Sequence, residues 1–136
     1  MDLSEKLIEL RIATRGATMC ESVGGKAKNT LSLKTKILFL LKDKSLPPLD
    51  LMTTLHLAKT NLALMTSEMA RENLIVKERP SHDKRAIYYS ITDEGKKYLD
   101  ARLNTIEESL KKSFSQKEYD AALKTLDKAI GILSFI

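Results

Sequence analysis

A cluster of side chains that can hold anionic oxygens lies in the second half of the chain. Arginine and lysine side chains bind phosphate oxygens well, because both carry a positive charge and several N–H donors. A turn segment from Pro80 to Lys84 separates two apolar stretches, which predicts a β-hairpin with strands over 74–79 and 85–91. The cluster would then surround the hairpin tip, although an ordinary hairpin with solvated charges would have the same composition. Its members are Lys77, Arg79, His82, Lys84 and Arg85, and the carboxylate of Asp83 lies among them in the sequence.

A helix is predicted immediately before this hairpin, over residues 60–72. Leu62, Met65 and Met69 follow helical spacing and form the stripe that packs inward. Asn73 is predicted to end the helix in the left-handed conformation, which asparagine tolerates better than most residues. The chain then turns directly into the first strand. The outer face of the helix carries Asn61, Ala63, Leu64, Ser67 and Glu68.

Two further helices are predicted upstream. Ser32 is the predicted N-cap of the first, which ends at the segment Asp43–Pro48 because proline lacks a backbone N–H. The second covers residues 49–56, with His56 as its C-terminal cap. Only the residues Leu57–Lys59 separate it from the helix over 60–72. Two helices joined by so short a turn must cross steeply, which is the helix-turn-helix arrangement.

Amphipathic helices are predicted at both ends of the chain. One covers residues 2–20, a long one begins after Thr92, and the capping box from Ser115 to Glu118 opens the last. Together they expose more apolar surface than one lobe can cover. Pairing of two chains about a two-fold axis would bury that surface, and folding back onto the same chain is the alternative. The predicted interface residues are Leu3, Leu7, Leu110, Leu123, Leu126, Ile130 and Leu133.

These elements predict a mainly α fold with a small β-hairpin wing. Specifically, we expect a winged helix-turn-helix flanked by N- and C-terminal dimerisation helices. The N-terminal dimerisation helix and loop would cover 1–31, the winged DNA-binding lobe 32–92, and the C-terminal dimerisation helices 93–136, as one continuous domain. The chain has 136 residues, which is the size of a single domain.

Composition narrows the class of partner. A formal net charge of +5 favours anionic partners, with nucleic acid first. The single cysteine, Cys20, fits a reducing cytosol, and we expect a cytoplasmic protein with no signal peptide and no membrane helix. Cys20 has few cationic neighbours, so an inert thiol is favoured over an oxidant sensor. Two histidines and no clustered carboxylates predict no metal site, no cofactor and no enzymatic activity.

The segment from Leu49 to Tyr98 resembles the MarR-type transcription regulators. The triplet Asp83-Lys84-Arg85 matches the D-x-R of their wing, and Ile91-Thr-Asp-Glu-Gly95 matches their L-T-x-x-G with isoleucine for leucine. Met69 takes the place of a leucine near the end of their recognition helix, and Asn73 that of a glycine in the following turn. The close resemblance covers about a third of the chain, and the spacing of the two motifs is its most specific part.

The resemblance implies a role for each matched position. Arg85 would enter the minor groove, and Asp83 would help to orient it. The other basic residues of the wing would hold phosphates. Leu64 departs from the family, which often has a polar or basic residue there, and it could either pack on its own chain or contact a thymine methyl. The residues implied to face the major groove are Lys59, Thr60, Asn61, Ala63, Leu64 and Ser67.

The expected function is that of a dimeric, sequence-specific regulator of transcription that binds double-stranded DNA at a palindromic site. The resemblance further implies a repressor that a small-molecule effector could release. Because Ala63 and Leu64 offer no polar groups to base edges, we expect readout to depend on the wing, on phosphates and on DNA shape. The alternative is a dimeric protein-interaction module that keeps this fold but has lost specific DNA binding.

Overall fold

The computed structural model describes residues 3–13, 32–83 and 85–133. These residues contain six helices and two strands. Much of the predicted N-terminal helix and loop, Cys20 and Lys84 lie outside these residues. In chain order the elements are α1 (Leu3–Ala13), α2 (Leu33–Leu41), α3 (Pro48–Leu55), α4 (Lys59–Arg71), β1 (Ile75–Glu78), β2 (Tyr88–Ile91), α5 (Asp93–Ser113) and α6 (Gln116–Leu133).

The described residues form two compact units. The first contains 32–83 and 85–100, and the second contains 3–13 with 101–133. Helix α5 begins in the first unit and ends in the second. The mainly helical architecture with one two-stranded antiparallel hairpin confirms the predicted fold class.

The core of the first unit comes from the inward faces of all its elements. Helix α2 starts at Ser32, whose side chain accepts a hydrogen bond from the backbone N–H of Thr35 at 3.2 Å, as predicted for an N-cap. Burying one large apolar side chain contributes about 1.5–3 kcal/mol, so this set can hold the unit together without a disulfide. The fully or nearly buried members are Ile37, Leu38, Phe39, Leu41, Leu51, Leu55, Leu62, Met69, Leu74, Ile75, Tyr89 and Leu99.

The turn between α3 and α4 is as short as the sequence indicates. Pro48 occupies the first turn of α3, where its missing N–H costs nothing. His56 ends the helix with φ 54°, which confirms the predicted cap. Only Leu57 and Ala58 then precede α4. Helix α4 therefore begins almost immediately after α3 ends, as a helix-turn-helix requires.

The hairpin strands are shorter than predicted. They pair antiparallel from Ile75 opposite Ile91 to Glu78 opposite Tyr88. The prediction extended the second strand back to residue 85, and this was wrong because the segment before Tyr88 is folded into turns. Two backbone hydrogen bonds close those turns, from Asp83 N–H to the Pro80 carbonyl at 3.2 Å and from Ala86 N–H to the Asp83 carbonyl at 3.3 Å.

A third strand position, absent from the sequence-based prediction, joins the hairpin. Leu46 and Tyr89 exchange two backbone hydrogen bonds, at 3.1 and 2.9 Å. The pairing stops after one residue because Pro47 has no N–H with which to continue a ladder. A one-residue strand has no periodicity, so the sequence carries no signal for it.

A compact junction connects α4, the hairpin and α5. Asn73 adopts φ 63°, which confirms the predicted left-handed position. The Thr92 hydroxyl donates to the Asn73 carbonyl at 2.6 Å and accepts from the Gly95 N–H at 3.0 Å, so Thr92 caps α5 as predicted. A Cβ atom on Gly95 would lie 2.2 Å from the Leu74 carbonyl oxygen. The glycine is therefore required because the backbone of α5 passes directly against the start of β1.

The second unit packs α1 against α6. The buried carboxylate of Glu107, in α5, accepts hydrogen bonds from the Ser4 N–H at 2.8 Å and the Tyr119 hydroxyl at 2.7 Å. Helix α6 opens with reciprocal hydrogen bonds of 3.2 Å between Ser115 and Glu118, which confirms the predicted capping box. These hydrogen bonds, from the Ser115 backbone first, hold the pKa of the Glu118 carboxyl below its usual value.

Candidate nucleic-acid interface

Helix α4 presents one buried face and one exposed face. Leu62, Thr66 and Met69 are at most 2% exposed and face the core. Leu64 is 67% exposed, so it does not pack on its own chain. The alternative that Leu64 packs on its own chain is therefore wrong, and contact with a thymine methyl stays a prediction. All the positions predicted to face the major groove are exposed in the described structure: Lys59, Thr60, Asn61, Ala63, Leu64 and Ser67.

Buried Thr66 is a positioning residue that sequence reasoning missed. Its hydroxyl donates to the Leu62 carbonyl at 2.8 Å and lies 3.4 Å from the hydroxyl of Tyr89. Tyr89 is itself buried in β2 and bridges to Leu46. Helix α4 and the hairpin are therefore tied to one another through side chains as well as through the short connection between them. The one sign of this role in the sequence is that a threonine lies among the leucine and methionine residues of the inward-facing stripe.

The tip of the wing is organised by Asp83. One of its carboxylate oxygens accepts a hydrogen bond from the Arg85 N–H at 2.9 Å. This contact closes an Asx-type turn, in which a short side chain replaces a backbone carbonyl. The side chain of Asp83 thus fixes the backbone from which Arg85 projects. Arg85 itself is exposed, and so are Lys77, Arg79 and His82.

One groove brings α4 and the wing together. It has a volume of about 450 Å³ and is open to solvent. Lys59, at the start of α4, and Arg85, at the wing tip, both line it, and its remaining walls are apolar. The apolar wall residues are Pro47, Pro48, Leu49, Met52, Ala86, Ile87 and Tyr88. Two cations from different elements therefore lie at one concave surface.

Lys34 contacts Glu72, directly after the C-terminal end of α4, and the sequence analysis did not identify this contact. Its ammonium group donates to a carboxylate oxygen of Glu72 at 2.8 Å and lies 5.6 Å from the centroid of the Tyr98 ring. The hydrogen bond with Glu72 raises the pKa of Lys34 above its ordinary value. Three elements, α2, α4 and α5, meet at this contact. Pairing of Glu72 also reduces the negative charge next to the exposed face of α4.

Across residues 3–13, 32–83 and 85–133, no group of three or more histidine, cysteine, aspartate or glutamate side chains is arranged to hold a metal ion. None of the described helices combines the length and the apolar character needed to cross a membrane.

Comparison with known proteins identifies the fold. No protein-family model matches the sequence. No curated protein matches it either. Solved structures do match, and BldR, a transcriptional regulator from Sulfolobus solfataricus, is 19% identical with a TM-score of 0.61 over 100% of both chains.

Two other structures agree. MarR from E. coli is 13% identical with a TM-score of 0.60, covering 90% of this chain and 91% of its own. The adhesin competence repressor AdcR from Streptococcus pyogenes is 17% identical with a TM-score of 0.54, covering 94% and 95%. The chain therefore has the winged-helix fold of MarR-type regulators.

Proposed function

We propose that the chain is a MarR-type regulator of transcription that binds double-stranded DNA as a homodimer and acts as a repressor. The observation that carries this proposal is the common surface formed by α4 and the wing. The exposed face of α4 and the Arg85 tip belong to one unit, and Lys59 and Arg85 line one groove. A helix fits the major groove of B-DNA, and a narrow hairpin can reach the adjacent minor groove.

The roles of the wing residues follow from this arrangement. Arg85 would enter the minor groove, where narrow A·T-rich segments attract arginine most strongly. Asp83 would orient Arg85 through the backbone contact already described. The phosphate-binding residues would be Lys59, Lys77, Arg79, His82 and Lys84. Each phosphate that they neutralise should add about −0.9 to the slope of log K against log salt concentration.

Apolar surface on the second unit supports dimerisation. Phe114 and Ile132 are 46% and 65% exposed, although both are large apolar residues. Leu7 and the five predicted interface positions on α5 and α6, from Leu110 to Leu133, are only half-buried within the chain. Leu3 differs from them, because it is 2% exposed and already buried in its own unit. Two copies related by a two-fold axis would cover the remaining apolar surface.

A dimer of this kind determines the form of its site. Two recognition helices related by a two-fold axis require a palindrome with half-sites about 34–36 Å apart, one turn of B-DNA. A small effector that changes the distance between the two wings would release the DNA. No step of this proposal uses a cofactor or a catalytic group. We also propose that the protein is cytoplasmic, where it would have access to the DNA.

Selection of bound duplexes from random DNA tests the proposal directly. We expect enrichment of one palindromic sequence with half-sites separated by about one helical turn. Repeated selection without any enriched sequence would contradict it. The purified full chain is sufficient for this experiment, and no knowledge of the effector is needed.

A protein-interaction module is the second candidate, and two exposed residues favour it. Leu64 is apolar, and Glu68 beside it on α4 carries a negative charge that would oppose nearby phosphates. On this candidate the same face would contact another protein. DNA binding would then be weak, with a Kd of about 10⁻⁴–10⁻⁶ M, and it would not depend on the DNA sequence. Enrichment of a palindrome would exclude this candidate.

A further inference from the structure

Leu64 lies at the centre of the exposed face of α4. Thr60, Leu64, Ser67 and Arg71 follow one another at helical intervals and form one stripe, opposite the stripe that contains Leu62. All four residues of the exposed stripe are accessible to solvent. With 67% of its surface exposed, Leu64 is one of the two most exposed large apolar residues in the described chain. Its side chain has no packing role in its own unit.

Leu64 and Ala63, next to it, offer no group that could read a base edge through hydrogen bonds, although Thr60, Ser67 and Arg71 in the same stripe can do so. The hydroxyl of Thr66 is already bonded to the Leu62 carbonyl. Asn61 supplies the one side-chain amide near the stripe. At the position of Leu64 itself the surface favours contact with an apolar group, since removal of exposed methyl groups from water lowers the free energy.

Positive charge at the N-terminal end of the stripe favours an anionic partner. Lys59 begins the same helix, and Arg85 of the wing shares a groove with Lys59. An anionic partner that also presents apolar groups to a helix is the major groove of DNA. The C5-methyl group of thymine is the apolar feature of that groove, and no other base carries one.

We infer that Leu64 is a specificity-determining residue that recognises thymine through its C5-methyl group. This inference rests on the proposed DNA-binding function and adds the base that α4 reads. Asn61 precedes Leu64 by three residues, so the two Cβ atoms lie about 5–6 Å apart on the helix surface. An asparagine amide pairs best with the N6 and N7 atoms of adenine. The two side chains therefore read the same or neighbouring A·T pairs.

Replacement of thymine by deoxyuridine tests this inference, because it removes the methyl group and leaves base pairing unchanged. The probe is the duplex enriched from random DNA, with each thymine of one half-site replaced in turn. For the wild-type protein, the Kd should rise about fourfold at each contacted position. That factor corresponds to the roughly 0.8 kcal/mol for a buried methylene-sized group, since each 1.4 kcal/mol is a factor of ten.

Two variants at exposed apolar residues assign the effect to one side chain. Leu64→Ala should bind the thymine and uracil duplexes equally well, and it should fold normally because alanine is the better helix former. Val76→Ala is the control, since Val76 is also an exposed apolar residue, at 40%, but lies on β1. The control variant should retain the full uracil penalty. Fluorescence anisotropy with labelled duplexes gives all of these dissociation constants.

The possible failures are distinguishable. If the wild-type protein binds the enriched duplex specifically but shows no uracil penalty at any thymine, the role of Leu64 is overturned and the proposed function stands. A uracil penalty that persists unchanged in Leu64→Ala also overturns it, since another residue must then read the methyl group. If no duplex is enriched at all, both the inference and the proposed function fail.

Discussion

Arg85 projects from a turn that its neighbour Asp83 holds. The hydrogen bond of 2.9 Å from the Arg85 N–H to the Asp83 carboxylate fixes the backbone, while the guanidinium group stays exposed. Such a side chain would lose few packing contacts on entering a DNA groove. Because the backbone at Arg85 is already fixed, DNA binding would also cost less conformational entropy.

Arg85→Ala should therefore weaken DNA binding without changing the fold. A groove contact of this type contributes about 1–3 kcal/mol, which corresponds to a rise in Kd of roughly 5- to 150-fold. Ser81→Ala, at the same exposed tip, is the control and should change the Kd far less. Both variants should sediment like the wild type. An unchanged Kd for Arg85→Ala would remove the wing from the mechanism.

Gly95 has a structural role that can be tested separately. Gly95→Ala places a methyl group 2.2 Å from the Leu74 carbonyl oxygen, so the backbone must shift. We expect the free energy of unfolding to fall by about 1–3 kcal/mol, as in other overpacked sites. Urea denaturation followed by circular dichroism measures it. The matched control is Gly131→Ala in α6, where a Cβ atom meets nothing within 4 Å.

The control variant should behave in the opposite way. An alanine in a helix interior is more stable than a glycine by about 1 kcal/mol, so Gly131→Ala should raise the free energy of unfolding. If Gly95→Ala were as stable as the wild type, the claim that α5 passes directly against the start of β1 would be contradicted.

Residue-level prediction succeeded where one residue type has a strong local preference. Asn73 at positive φ, the cap at Thr92 and the capping box that begins at Ser115 are short-range features, and the sequence shows them directly. The contacts of Lys34 and Thr66 were not predictable. Each joins residues far apart in the chain, at separations of 38 and 23 positions to Glu72 and Tyr89, and no local pattern marks them.

At the scale of elements, the relation between α4 and the hairpin matters most. Two contacts maintain it: Thr66 with Tyr89, and Thr92 with Asn73. The bridge between Leu46 and Tyr89 attaches the segment before α3 to the same hairpin. The order of helices and strands was predictable from periodicity. The lengths of the strands were not, because turns at the tip compete with pairing, and the Leu46 bridge depends on tertiary contact alone.

Lys34 gives a testable pH dependence at this scale. A cation whose pKa is raised in the folded state contributes stability that is fully present below its unfolded pKa of about 10.5. That contribution is lost as the pH rises through the raised value. The free energy of unfolding of Lys34→Met should therefore be lower than that of the wild type at pH 8, with the difference shrinking above about pH 10.5.

A second lysine variant controls for general charge effects. Lys97 lies 3.6 Å from Glu94 and its side chain is 77% exposed, so its ion pair is screened by water and contributes little. Lys97→Met should therefore change stability less than Lys34→Met at every pH. A pH-independent difference between Lys34→Met and the wild type would show that the methylene stem of Lys34, not its charge, stabilises the contact.

At the scale of the whole molecule, the proposed dimer depends on the apolar faces of the terminal helices. Leu126→Asp places a charge on the half-buried face of α6, where a two-fold contact would have to desolvate it. We expect a monomer by sedimentation velocity at a concentration where the wild type is dimeric. Circular dichroism should confirm that the helices remain.

Lys124→Asp provides the control for this prediction. Lys124 is an exposed residue of the same helix, and its replacement by aspartate changes the net charge more than Leu126→Asp does. The variant should nevertheless leave the dimer intact. Ile132→Asp, at a 65% exposed position, tests another face of α6 without a residue that packs in its own chain. If the variants at Leu126 and Ile132 both stayed dimeric, α6 would not form the interface.

The central claim is that α4 and the wing together bind a specific DNA site. Titration of the wild-type protein against the enriched duplex and a scrambled duplex of equal length, at several salt concentrations, tests it most directly. The enriched duplex should bind at least about 10³-fold more tightly, and affinity for both should fall as salt rises. Equal affinity for the two duplexes at every salt concentration would contradict the account.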